Sequence, residues 1–117
     1  MAVTTITPTE LAYDVQSADL PITAGEAIVA ADTHSIAYPQ EGKLIIVLNN
    51  TFAGAKNFTV KAGDFFANGQ GDLVIAMAQN DVRFLVLSSD RFKDSDGNVN
   101  IEVEAGTTGF IMAFYMP

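Results

Sequence analysis

The sequence predicts an all-β protein: an antiparallel β-sandwich, jelly-roll-like, with an extended acidic N-terminal arm. Three observations predict it. From Lys43 onward, apolar runs of five to eight residues recur, each closed by a Gly, Asn or Asp cluster. The turn signals fall about 8 to 12 residues apart, the spacing of antiparallel sandwiches and barrels. No segment holds the 3.6-residue apolar period of a helix. The length, 117 residues, fits one domain. We therefore read residues 1–117 as a single β domain, with 1–42 as arm and edge strands and 43–117 as the main sandwich.

The first 42 residues carry Glu10, Asp14, Asp19, Glu26, Asp32 and Glu41 and no Lys or Arg, a net charge of −6 against −2 for the remaining 75. Three of the four prolines (Pro8, Pro21, Pro39) lie here as well. Proline removes a ladder donor and favours extended or edge positions. The expected strands in this third are Ala27 to Ala31 and His34 to Tyr38, with at most one helical turn over Thr9-Glu10-Leu11-Ala12 after Pro8. Two readings stay open: a solvated acidic surface, or an arm that lies on a basic neighbour.

Lys43 to Asn49, rich in Leu, Ile and Val, reads as a strand closed by Asn49, Asn50 and Gly54. Asn57 to Ala62 alternates, with Phe58, Val60 and Ala62 on one face and Asn57, Thr59 and Lys61 on the other. Period two of this kind sets one face on a core and the other in water. Ala62-Gly63-Asp64 turns the chain, and Asn68-Gly69-Gln70-Gly71-Asp72 is the strongest loop signal. Leu73 to Ala78 is apolar on both faces, and Val82 to Leu87 follows after Gln79-Asn80-Asp81. Asp96-Gly97 between apolar runs signals a hairpin into Asn98 to Glu104, with Val99, Ile101 and Val103 inward.

The last expected strand, Thr108 to Met116, is apolar on both sides. Phe110, Met112, Phe114 and Met116 line one side; Ile111, Ala113 and Tyr115 line the other. It is either a central strand buried between layers or a strand that offers one face to another subunit or protein. With the runs at Leu44 and Leu73, it gives more apolar surface than one thin core hides, and large apolar patches mark interfaces.

The residues that carry chemistry are few. Without cysteine there are no disulfides, thiolate nucleophiles or Cys-based metal sites. The one histidine, His34, cannot build a His-rich metal site, and no Gly-x-Ser-x-Gly elbow presents a nucleophile to it. Asp94-x-Asp96-x-Asn98 resembles the start of a calcium loop, but an EF-hand needs Gly and Glu where Val99 and Ala105 stand. Gly69-x-Gly71 lacks a third glycine and the Lys-Ser/Thr of a phosphate loop. Glu102 and Glu104 read as exposed strand carboxylates. The expectation is no enzyme and no cofactor. A net charge of −8 argues against nucleic acid and anionic lipid as partners. The longest apolar runs fall far short of the roughly 18 residues that span a bilayer. Met1-Ala2-Val3-Thr4-Thr5 has no basic start, so synthesis in the cytoplasm is expected.

The stretch from Lys43 to Pro117 resembles the head decoration, or capsid cement, proteins of bacteriophages. The residues that carry the resemblance are Asn57-Phe58-Thr59-Val60-Lys61-Ala62-Gly63-Asp64, Gly69-Gln70-Gly71-Asp72-Leu73, Ser89-Asp90-Arg91-Phe92, and Asp96 to Val103 followed by Ala105-Gly106-Thr107-Thr108-Gly109. The resemblance implies a structural virion protein that binds the outside of an assembled capsid and stabilises it. It implies the major capsid protein as partner, a homo-oligomer with a trimer favoured, and a place on the capsid exterior after synthesis in a bacterial host. Glu10, Asp14 and Asp19, with Phe110, Phe114 and Tyr115, are the expected contact residues. Other readings are a tail, fibre or baseplate β-module, or a small carbohydrate- or ligand-binding sandwich, which the lack of Trp weakens.

Overall fold

A computed structural model describes residues 2–39 and 43–117. The chain is mostly β, with ten strands and one helical turn among the described residues. In order they are β1 (Val3–Ile6), β2 (Thr9–Glu10), β3 (Glu26–Ala27), β4 (Thr33–Ala37), β5 (Leu44–Asn50), β6 (Lys56–Val60), β7 (Leu73–Met77), β8 (Val82–Leu85), α1 (Ser89–Phe92), β9 (Asn98–Val103) and β10 (Gly109–Tyr115). Short 3-10 turns at Ile22–Ala24 and Phe66–Gln70 complete the list. Sheet 1 runs β1-β4-β9-β6-β7. Sheet 2 runs β2-β10-β5-β8, with β3 also on β10. No helix among the described residues is long and apolar enough to cross a membrane.

The two sheets close on one core. β9 supplies Val99 and Ile101, β6 Phe58 and Val60, β4 Ile36, β5 Leu44, Ile46 and Leu48, and β10 Ile111 and Ala113. Period-two alternation in β6 and β9 delivers these residues to the inner face, as the sequence leads one to expect. Two polar fasteners tie the layers. Tyr38, fully buried, donates its hydroxyl proton to the Leu87 carbonyl. Asn50, also fully buried, sits at the end of β5, and its Nδ2 faces the carbonyls of Gly54 (3.0 Å) and, across the core, Met77 (2.9 Å). Its Oδ1 accepts the Phe52 N–H at 3.0 Å. Gly109 is required where β10 begins: its φ is +143°, and a Cβ there would lie 2.0 Å from the Asn49 carbonyl oxygen.

The pairing departs from an all-antiparallel sandwich in two places. β1 runs parallel to β4, and β2 runs parallel to β10. Between β1 and β4 the chain crosses to sheet 2, adds β2 and β3 to β10, and returns, so β4 re-enters in the direction of β1. The helical turn expected over Thr9 to Ala12 is absent. Thr9 and Glu10 lie along Phe114 and Tyr115 instead, and the Leu11 N–H reaches the Tyr115 carbonyl at 2.9 Å. An open strand edge with free carbonyls outcompetes one isolated turn, because helix nucleation fixes three residues for a single bond. Of the strand expected over Ala27 to Ala31, only Ala27 lies in β3, which begins one residue earlier at Glu26, and the chain then turns with Asp32 N–H on the Val29 carbonyl. The helix found is α1, one turn that buries Phe92.

Residues 1–42, expected as arm and edge strands, thus place β1 and β4 in sheet 1 and β2 and β3 on β10, while residues 11–21 form no strand or helix. β4 lies between β1 and β9. Glu41 lies outside the described residues.

Candidate functional site

The outer face of sheet 2 follows from register. Facing residues on paired strands point to the same side. Ile111, Ala113, Leu44, Ile46 and Leu48 point into the core, so the residues between them point out. They form rows: Val82, Asn49 and Phe110; then Phe84, Val47 and Met112; then Ile45 and Phe114. Val86, just past β8, continues the β8 column. None of these residues carries a charge, and Asn49 alone is polar. Leu20 and Ile22, from the segment ahead of β3, join Val47, Val82, Phe84, Met112 and Phe114 around an apolar groove of about 220 Å³.

Exposure along this face is graded. Met112 is 7 % and Val47 3 % exposed, whereas Val82, Phe84 and Val86 on the β8 side stand 44, 69 and 67 % exposed. The outer face of sheet 1 is different in kind. Its three middle strands present Thr33 and Ser35, Asn98, Asn100 and Glu102, and Asn57 and Thr59, and Val3 and Val74 are exposed on the edge strands β1 and β7. That is the composition of a sheet face in water; the face of sheet 2 is not.

The expected contact residues distribute as follows. Phe110 and Phe114, both half-buried, stand at the two ends of the apolar face. Tyr115 lies on the opposite side of β10, facing Thr7, Pro8, Ala37 and Pro39 at one end of the sandwich. Glu10 is exposed on β2, level with Tyr115. Asp14 and Asp19 are exposed in the irregular segment, Asp14 with φ +58°. The structure therefore brings Phe110 and Phe114 into one surface and leaves Tyr115 off it. Sequence reasoning missed β8, Leu20 and Ile22 as parts of this face. That Val82, Phe84 and Val86 share one side of a strand is readable in the sequence; which sheet that strand joins is not.

The other chemical candidates are occupied by structure. His34 is fully buried in β4, and its Nε2 accepts the Val29 N–H at 3.2 Å. Burial pushes its imidazole below the usual range; the Ile101 backbone, Asp32 and Glu26 pull the other way without reversing this. Asp94 is spent on its own turn. Oδ1 accepts the N–H groups of Asp96 and Asn98 at 2.9 Å, and Oδ2 accepts Asn100 Nδ2 at 2.7 Å. Burial raises its carboxyl, but these hydrogen bonds outweigh it and hold the group below the usual carboxylate range. Among the described residues no three His, Asp or Glu side chains are gathered as a metal site. Glu104 holds the Asn57 N–H at 3.1 Å and Lys56 at 3.5 Å. At the glycine loop, Arg91 Nε donates to the Gly71 carbonyl at 3.0 Å.

No known protein family, no curated protein and no solved structure matches the chain.

Proposed function

We propose that this chain is a structural virion protein that attaches to the outside of an assembled phage capsid and stabilises it, and that it is not an enzyme. The observation that carries the reading is the charge-free outer face of sheet 2, from Phe110 and Phe114 across to Phe84. Val47 and Met112 are buried within the chain, but a protein that stays in solution gains little from the exposed Val82, Phe84 and Val86, whereas one that coats a shell can use such a surface. The acidic residues lie elsewhere. Glu10, Asp14 and Asp19 would meet basic patches of the major capsid protein around the apolar contact and speed encounter. Repetition over a lattice gives avidity, so each contact can be modest. No cofactor enters this role.

Density-gradient fractionation of particles from the source, with mass spectrometry of the shell band, tests it. Hundreds of copies per particle, removable without loss of the shell, are expected. A handful of copies points to a tail or fibre module, and absence from particles overturns the virion reading. The acidic contribution is tested by changing Glu10→Gln, Asp14→Asn and Asp19→Asn together; shell binding at moderate salt should weaken. Unchanged binding would remove these three residues from the contact.

A further inference from the structure

Both sheets end in an open edge on the same flank. β7 is the last strand of sheet 1 and β8 the last of sheet 2, and no described strand pairs with the far side of either. The residues 78–81 join them in a tight corner. The Asp81 N–H reaches the Ala78 carbonyl at 3.1 Å, Asp81 Oδ2 accepts the Ala78 N–H at 3.0 Å, and Asn80 takes φ +66°. A bare strand edge is a template for another chain, and proteins guard such edges with Lys, Pro or bulges. The guard here is thin. Residues 73–87 contain no proline and one cation, Arg83, which reaches back to Asp81 at 3.4 Å.

The open side of β8 can be read from its inner pairing. The Asn50 N–H bonds the Asp81 carbonyl, so Asp81 and Arg83 turn their backbone groups to β5. Alternation then turns the N–H and C=O of Val82 and Phe84 outward, to the unpaired edge. Their side chains are exposed on the apolar face beside that edge.

We propose that a second copy of this chain docks on this flank, β8 against β8 antiparallel, with Phe84 at the two-fold axis. Val82 then faces Val86 of the partner subunit, and the two sheets 2 continue into one. Three features select a second copy as the occupant. Two edges in two layers are open together, and a lone extended peptide fills one of them. A second copy offers both at the same spacing, and one axis perpendicular to the sheets brings the β7 edges together as well. Lastly, residues 73–87 have no net charge in a chain of −8, so two like-charged molecules can approach there. The register also follows. Placing Val82 opposite Phe84 of the partner subunit sets Arg83 against the partner's Arg83, and like charges directly opposed are destabilising. Centring on Val82 runs the pairing into the left-handed Asn80. The arrangement is two-fold, not the trimer that the resemblance implies, and it holds for the isolated protein whether or not it attaches to a shell.

The absence of cysteine makes the test direct. Single variants Phe84→Cys, Val82→Cys, Val86→Cys and, on the opposite edge at β1, Val3→Cys are oxidised mildly. Facing residues of a hydrogen-bonded antiparallel pair have Cα atoms about 5.5 Å apart, within disulfide reach. F84C should form a covalent dimer, and V82C, V86C and V3C each alone should not. An equimolar mixture of V82C and V86C should form one. Sedimentation of the unmodified protein should show twice the 12.5 kDa chain mass, and Phe84→Lys should return it to monomer with an unchanged circular dichroism spectrum. A monomer or trimer by sedimentation, V3C linking as fast as F84C, or V82C linking to itself would each overturn the proposal.

Discussion

Two phenylalanines separate the open face from the core. Phe58 on β6 is fully buried between the sheets, and Phe84 on β8 is 69 % exposed on the outer face of sheet 2. A phenylalanine offers on the order of 200 Å² of apolar surface, so Phe84 hides about 60 Å² in the free chain and leaves about 140 Å² for a partner. At 25 cal/mol per Å², Phe84→Ala should cost the free chain at most about 1.5 kcal/mol. Phe58→Ala should cost about 3–5 kcal/mol, since it removes a core side chain and leaves a cavity. Contact across the exposed part is worth up to about 3.5 kcal/mol, a few hundredfold in Kd. Urea unfolding of both variants at low and high protein concentration measures the first pair of values, and titration onto stripped shells measures the third. At low concentration, where the monomer dominates, the two variants should differ at least twofold in cost. At high concentration Phe84→Ala should look worse, because copies that pair at β8 lend each other stability. Equal cost for the two variants at low concentration would refute the claim that this face is open in the single chain. An unchanged affinity for shells would refute its use as the contact.

Three further outcomes follow from the geometry. Asn50→Ala leaves the Met77 and Gly54 carbonyls and the Phe52 N–H without their partner, and urea unfolding should show a loss of about 2–3 kcal/mol; a loss below about 0.5 kcal/mol would mean that the fastener contributes nothing. His34 has a lowered pKa in the fold, so the unfolded chain takes up its proton first. Stability should therefore be full above the ordinary imidazole value and fall as pH drops below it, and the unfolding midpoint of His34→Gln between pH 7 and 5 should fall less than that of the parent. Gly109→Ala forces a Cβ onto the Asn49 carbonyl oxygen in a backbone conformation that disfavours side chains; thermal unfolding should show a loss of roughly 3 kcal/mol or more, or no folded protein at all.

The legible parts of the fold are those that side-chain pattern determines. β6 and β9 alternate cleanly, and their inward residues are the ones the period names. β5 and β10 are apolar on both sides and lie paired in the middle of sheet 2. Strands of two residues leave no period to read. β2 and β3 exist because β10 has an edge to fill, and that is a property of topology. α1 is one turn long, too short for a 3.6-residue pattern, and Phe92 is its only buried residue. The candidate face was half legible. Period two assigns Phe110 and Phe114 to one side of β10 and Tyr115 to the other. That Val82 and Phe84 extend the face depends on β8 pairing with β5, its partners 33 to 39 residues away in the chain, and no local signal carries that. Leu20 and Ile22 flank Pro21 in a segment without repeat, and only the folded chain brings them to the groove.

The difference between the two outer faces argues for a covered surface more strongly than any single exposed residue does. Both sheets belong to one chain, share one core and have similar strand lengths, so strand-forming tendency alone would give their outer faces similar compositions. The three middle strands of sheet 1 present Thr, Ser, Asn and Glu to its outer side, with Val3 and Val74 on the edge strands, whereas sheet 2 presents Val, Ile, Phe and Met together with Asn49. The middle of the sheet 2 face is already buried in the single chain, but its β8 side adds little to stability, because Val82, Phe84 and Val86 stay wet, and that side carries a standing risk of aggregation. The −8 charge of the rest of the chain offsets that risk by repulsion, except on the flank around β8, where local charge is zero. Pairing there would set two such faces side by side in one plane. The resulting platform doubles the apolar area available to a shell without adding any charge to it, and a dimer so formed would attach through two contacts where a monomer has one.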